Sequence, residues 1–107
     1  MIIVQGLIPI LPEQRDEALE LLRWMTQETL RENGCISYEF FVSLSDANTV
    51  LLMQEWEDLA TLNAHYQTEH MATFMKALPD VLRGQIRTRR FAVHESEPPA
   101  EPPPIIH

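Results

Sequence analysis

The chain carries one cysteine, Cys35, among 107 residues. No disulfide can close within one copy, and a zinc centre built from four cysteines of this chain is excluded. Glycine is scarce too, at 3 residues. Phosphate loops and dinucleotide-binding turns need several closely spaced glycines, so flavin or nicotinamide binding through such a fold is unsupported. A nucleophile elbow is missing for the same reason. Cations are few: 8 Lys and Arg against 16 Asp and Glu leave a net charge of −8. Nucleic-acid binding and polybasic membrane anchoring both need clustered cations, so neither partner is expected. No apolar run approaches the roughly 18–20 residues that span a bilayer. The start MIIVQGLIPI lacks the cationic region and small-residue cleavage site of a signal peptide. A cytoplasmic protein is the expectation.

What is present reads as one folded domain over residues 1–94, followed by a tail over residues 95–107. IIVQGLI, residues 2–8, is short and β-branched and predicts a strand that Pro9 and Pro12 terminate. From Glu13 to about Glu32 the pattern is helical, with Ala18, Leu19, Leu21, Leu22 and Met25 on one arc. Asn33–Gly34 supplies the stop. CISYEFFVS predicts a second strand with Ile36, Tyr38, Phe40 and Val42 on one face; TVLLMQEW predicts a third, paired with it as an antiparallel hairpin. Asp58 can cap a helix from Leu59, with Leu59, Leu62 and Tyr66 apolar, and a further helical segment carries Met71, Phe74, Met75 and Leu78. QIRTRRFAV reads as the last strand.

Strand, helix, strand, strand, helix, strand is the order of an α+β, ferredoxin-like split βαβ sheet. Helices cover one face of such a sheet, yet both faces are apolar here: Val50, Leu52 and Trp56 alternate with Leu51 and Met53, and Ile2, Val4 and Ile8 with Ile3 and Leu7. A second copy of the sheet is the economical cover, predicting a homodimer through the sheet face, a dimeric α/β-barrel. The tail ESEPPAEPPPIIH is acidic and proline-rich, which favours an extended polyproline II path, draped over a partner subunit.

Chemistry concentrates in EWEDLATLNAHYQTEH, residues 55–70. His65 and His70 are i, i+5, about 140° apart on a regular helix, where two metal-binding histidines would be i, i+4. A break between them could bring the rings together, but Glu69 and Glu55 would have to complete the set, so no metal ligand is assigned. General acid–base chemistry fits better, since His65 and His70 can exchange a proton near neutral pH, although each could equally be a boundary histidine satisfied by backbone. Cys35 reads as a small buried residue rather than a reactive thiolate, and Trp56 as core that could also wall a pocket.

ENGCISYEFF followed by LLMQEWEDLATLNAHYQTEHMATFMKALPDVL resembles the antibiotic biosynthesis monooxygenase family, which includes quinol monooxygenases. The resemblance rests on Gly34–Cys35 with Tyr38, on Glu55–Trp56, and on His65 and His70 with Phe74 beyond them. It implies dimerisation through the sheets and oxidation of a small aromatic substrate, a phenol or quinol, by O2 with no cofactor. It further implies catalytic roles for His65, His70 and Trp56, and substrate contacts from Tyr38, Glu55, Tyr66 and Phe74. Haem-degrading relatives use an Asn, a Trp and a His where this chain holds Gln5 or Gly6, His65 and Met75, which disfavours that branch. A branch that isomerises a phosphorylated carbonyl compound stays open through Arg87, Arg89 and Arg90, as does a non-catalytic ligand-binding dimer.

Overall fold

A computed structural model describes residues 1–94; the expected polyproline path of the tail, and its draping over a partner, lie outside the described residues. Four strands form one antiparallel sheet in the order β2-β3-β1-β4: β1 is Ile2–Pro9, β2 Cys35–Val42, β3 Thr49–Trp56 and β4 Arg87–Ala92. Three helices cross one face, α1 over Arg15–Thr29, α2 over Leu59–Tyr66 and α3 over Glu69–Ala77. β3 pairs between β1 and β2, so the β1–α1–β2 unit is split by an antiparallel strand. The architecture is the ferredoxin-like one the element order predicts.

Alternation along the strands decides what faces the helices. Val4 and Ile8 of β1, Val50, Leu52, Gln54 and Trp56 of β3, and Tyr38 of β2 are buried. Ala18, Leu22 and Met25 of α1 close over them, each large apolar side chain contributing about 1.5–3 kcal/mol by leaving water. The outer face carries Ile3, Leu7, Leu51, Met53 and Phe41 alongside Gln5, Glu39 and Glu55, and Leu7 and Phe41 are 45% and 47% exposed.

Three local expectations are corrected. A β-bulge between Cys35 and Ser37 breaks the alternation of β2, leaving Ile36 half exposed, while Val42 is exposed at the end of the strand, on the open groove between α1 and β2. Leu59 and Met75 stand about half in solvent, because α2 and α3 are short and bury fully just Leu62, His65 and Phe74, with Met71 packed partly against the core. Between them the helix breaks at Gln67–Thr68, and Thr68 caps α3 by accepting from Met71 N–H.

Gly34 has φ 82°, a left-handed conformation that releases the chain from α1 into β2. Its carbonyl accepts from Glu57 N–H at 2.9 Å, and a Cβ there would sit 2.3 Å from Thr61 Cγ2. The turn after α1 is therefore pressed against the start of α2. Asp58 and Thr61 cap α2 with a reciprocal capping box.

Candidate functional site

The site is a consequence of the hairpin. Cys35 and Trp56 are register partners at the open end of β2 and β3. Whatever precedes Cys35 must therefore neighbour whatever follows Trp56. Glu32 precedes it, and α2 with His65 follows.

Glu32 Oε2 accepts from both histidines, His65 Nδ1 and His70 Nε2, each at 2.7 Å. An ionised carboxylate has no proton to donate, so both ring nitrogens facing it carry N–H. The break after Tyr66 turns His70 back toward His65, their ring centroids 6.1 Å apart. The i, i+5 spacing that argues against a shared ligand on one regular helix is thereby repaired. The expectation that Glu69 or Glu55 would have to supply the third group is overturned: Glu32 supplies it, from 33 residues before His65.

His65 is 1% exposed. Its ring lies 4.9 Å from that of Trp56, tilted by 38°, with Tyr38 at 5.9 Å and Tyr66 at 5.7 Å. With the proton of the neutral imidazole on Nδ1, its Nε2 is a lone-pair acceptor, and that atom is buried with no hydrogen-bond partner among the described residues. An orphan of this kind costs about 1–3 kcal/mol. A water or a ligand group reaching that nitrogen would satisfy it. The Trp56 indole N–H is already used, donating to Gln54 Oε1 at 2.9 Å.

A cavity of about 240 Å³ opens between the sheet and α3. Val4, Gly6, Leu52 and Gln54 form its floor and Tyr66, Met71 and Phe74 its roof. Gly6 matters because a side chain there would project toward Leu52 and Ile86 and narrow the space. Tyr66 touches both this cavity and the His65 ring. A wider, open groove of about 670 Å³ runs between α1 and β2, but it holds neither a histidine nor a tyrosine.

The seven residues singled out in the sequence are thus divided. His65 and His70 converge on one carboxylate, with Trp56 and Tyr38 packed about His65. Tyr66 and Phe74 line the cavity; Trp56 is wholly buried and stands behind Gln54 rather than on the cavity wall. Glu55 is apart from them all, on the outer face of β3, accepting from Ser37 Oγ at 2.8 Å. Alternation along β3 puts it opposite to Trp56. Glu32 and Gln54 are the site residues that sequence reasoning missed.

Burial drives the Tyr38 phenol well above its ordinary range, with the Thr29 hydroxyl tempering the rise and the negative charge at Glu32 adding to it. Tyr38 is therefore a neutral donor, not a phenolate. Burial, then the charge on Glu32, pushes the Cys35 thiol up to about 11, which fits an unreactive packing residue. Arg87 and Arg89 pair with Leu7 and Gln5 on the outer face, with Arg89 over the Phe91 ring at 5.0 Å, whereas Arg90 pairs with Val4 on the helix side. Among the described residues no helix is long and apolar enough to cross a membrane.

Comparison with known proteins bears on this geometry. "Uncharacterized protein sll1783" of Synechocystis is 28% identical over 90% of this chain, which spans 65% of that longer protein. "Putative monooxygenase YcnE" of Bacillus subtilis is 27% identical over 89% of this chain and 100% of its own length. "Probable quinol monooxygenase YgiN" of Escherichia coli is 29% identical over 68% of this chain and 79% of its own. A crystal structure described as an antibiotic biosynthesis monooxygenase superposes with a TM-score of 0.82 at 27% identity, covering 89% of this chain and all of that one. The family model described as antibiotic biosynthesis monooxygenase matches residues 1–77, most of the described fold. The chain belongs to the antibiotic biosynthesis monooxygenase family.

Proposed function

We propose that the protein is a cofactor-independent monooxygenase that oxidises a quinol or polyphenolic substrate with O2. The observation that carries the reading is the buried Nε2 of His65, unpartnered among the described residues, whose tautomer Glu32 dictates. In this arrangement His65 Nε2 takes a phenolic proton and Glu32 stabilises the imidazolium that results, as a carboxylate orients a base histidine elsewhere. His70, whose side chain is 18% exposed, passes charge and proton toward solvent through the same carboxylate. Substrate would enter the cavity roofed by Tyr66 and Phe74, with Tyr66 giving way to expose His65. Tyr38 would offer its phenol hydrogen to the developing oxyanion.

The deprotonated substrate supplies the electron that a flavin or metal otherwise supplies to triplet O2. Recombination at a ring carbon gives a hydroperoxide, and loss of water leaves a carbonyl. One oxygen atom enters the product and the other leaves as water. The half-exposed apolar side chains on the outer face of the sheet, Leu7 and Phe41 among them, support a homodimer in which a second copy covers that face.

An isomerase acting on a phosphorylated carbonyl compound finds less support, because two of its three arginines, Arg87 and Arg89, stand on the opposite side of the sheet from His65 and only Arg90 shares its side. The test is O2 uptake with a panel of quinols and anthrones, comparing the native protein with His65→Ala. Turnover that needs no O2 would favour the isomerase. The absence of any turnover would leave a binding module.

A further inference from the structure

We propose that Glu32, His65 and His70 bind one divalent first-row transition cation, Zn²⁺ in the first instance, and that occupancy converts His65 Nε2 from an acceptor to a donor. The three donor atoms lie within 4.8 Å of one another. In a tetrahedral zinc site with bonds of about 2.0–2.1 Å, ligand atoms are separated by about 3.4 Å. The two rings already converge on a single point, occupied by Glu32 Oε2. Closing the set needs a contraction of at most about 1.5 Å, with the carboxylate turned aside so that the ion takes its place. Two imidazoles and a carboxylate suit zinc, cobalt or nickel, and suit magnesium or calcium poorly.

The scaffold limits how the ligands move. His65 is held against Trp56, and its backbone carbonyl accepts from Thr68 Oγ1 at 2.8 Å. His70 is in the first turn of α3, which Thr68 itself caps. Glu32 reaches the surface: a depression lined by Glu32, Asn33, Asp58, Thr61 and Thr68 leads to its carboxylate. A net charge of −8 draws cations toward that opening. Three protein ligands leave a coordination position free for water.

The consequence for His65 follows from proton counting. A neutral imidazole holds one proton. With Nδ1–H donating to Glu32, Nε2 has the free lone pair; with the ion on Nδ1, that proton must reside on Nε2. The buried nitrogen then cannot accept a substrate proton, so a bound ion blocks the deprotonation step. This second consequence rests on the base role proposed for His65; binding of the ion does not.

The test uses the full chain stripped with a chelator and titrated with Zn²⁺ by calorimetry and with Co²⁺ by visible absorption. One ion per chain, with cobalt bands of a tetrahedral nitrogen–oxygen site, is expected. Glu32→Gln and His70→Gln, each checked for folding by circular dichroism, should weaken binding at least about tenfold. No saturable binding, or affinity unchanged in both folded variants, would overturn the site. O2 uptake on the same samples separates the two readings: binding without inhibition refutes the switch, whereas turnover without binding refutes the site and leaves the oxygenase reading intact.

Discussion

Replacing Glu32 by Gln keeps the shape of the side chain and removes the charge that two histidines share. In the native protein Oε2 accepts two N–H groups at 2.7 Å, from a fully buried ring and from a ring whose side chain is 18% exposed. A hydrogen bond to a charged group contributes about 1.5–3 kcal/mol and a neutral one about 0.5–1.5. Two such bonds losing their charge assistance give a loss of roughly 2–3 kcal/mol, and water replacing the His70 partner lowers this to about 2. In a domain of this length that is a fall in Tm of about 10 °C. Urea unfolding at one fixed protein concentration, with circular dichroism as the probe, reads it as a lower midpoint at unchanged slope. His70→Gln, which breaks only the more exposed bond, should cost less. A Glu32→Gln loss below about 0.5 kcal/mol, the range of ordinary surface changes, would refute the view that this carboxylate organises the site.

Gly34→Ala should be more damaging than its exposure suggests, since φ is 82° and the new Cβ would meet Thr61 Cγ2 at 2.3 Å. A loss of about 1–3 kcal/mol from the backbone conformation, with further loss from the clash, is expected in the same assay. Asp46, held by Arg83, Thr49 and the Asn48 N–H, titrates at about 2 instead of 3.8. Its folded pKa is depressed, so its contribution to stability is present above about pH 4 and fades as pH falls through 2; Asp46→Asn should flatten the pH–stability curve in that window and leave it unchanged in shape near neutrality. Leu7→Arg places a charge at the centre of the outer face and should shift the light-scattering mass from dimer to monomer; a native protein already monomeric would refute the dimer.

Most of the architecture was legible because local rules agree with one another. The one-sided arc of α1, the left-handed turn at Gly34, the Asp58 cap and the strand–turn–strand pattern all point to the fold that forms, although α1 ends at Thr29, short of the expected stop at Asn33–Gly34. The site was legible in part. His65 and His70 stood out as the right residue types, but Glu32 looked like one more acidic residue at the end of an amphipathic helix. Its role comes from long-range pairing: the hairpin register, with Cys35 opposite Trp56, brings the turn after α1 against α2. Since that hairpin was itself predictable, Glu32 could have been found by following its register outward. Glu55 stands apart from the other candidates for the converse reason. The resemblance names Glu55 together with Trp56, and alternation along a strand sends such neighbours to opposite faces. Whether a cavity forms depends on the volumes that Gly6, Gln54, Tyr66 and Phe74 leave unfilled, and periodicity carries no information about that.

The most direct measurement is O2 uptake by the chelator-stripped protein across quinols and anthrones, repeated with His65→Ala. The account predicts substrate-dependent uptake with one oxygen atom from ¹⁸O2 in the product, and its loss in the variant. No uptake with any of these substrates, or full activity without His65, would contradict it.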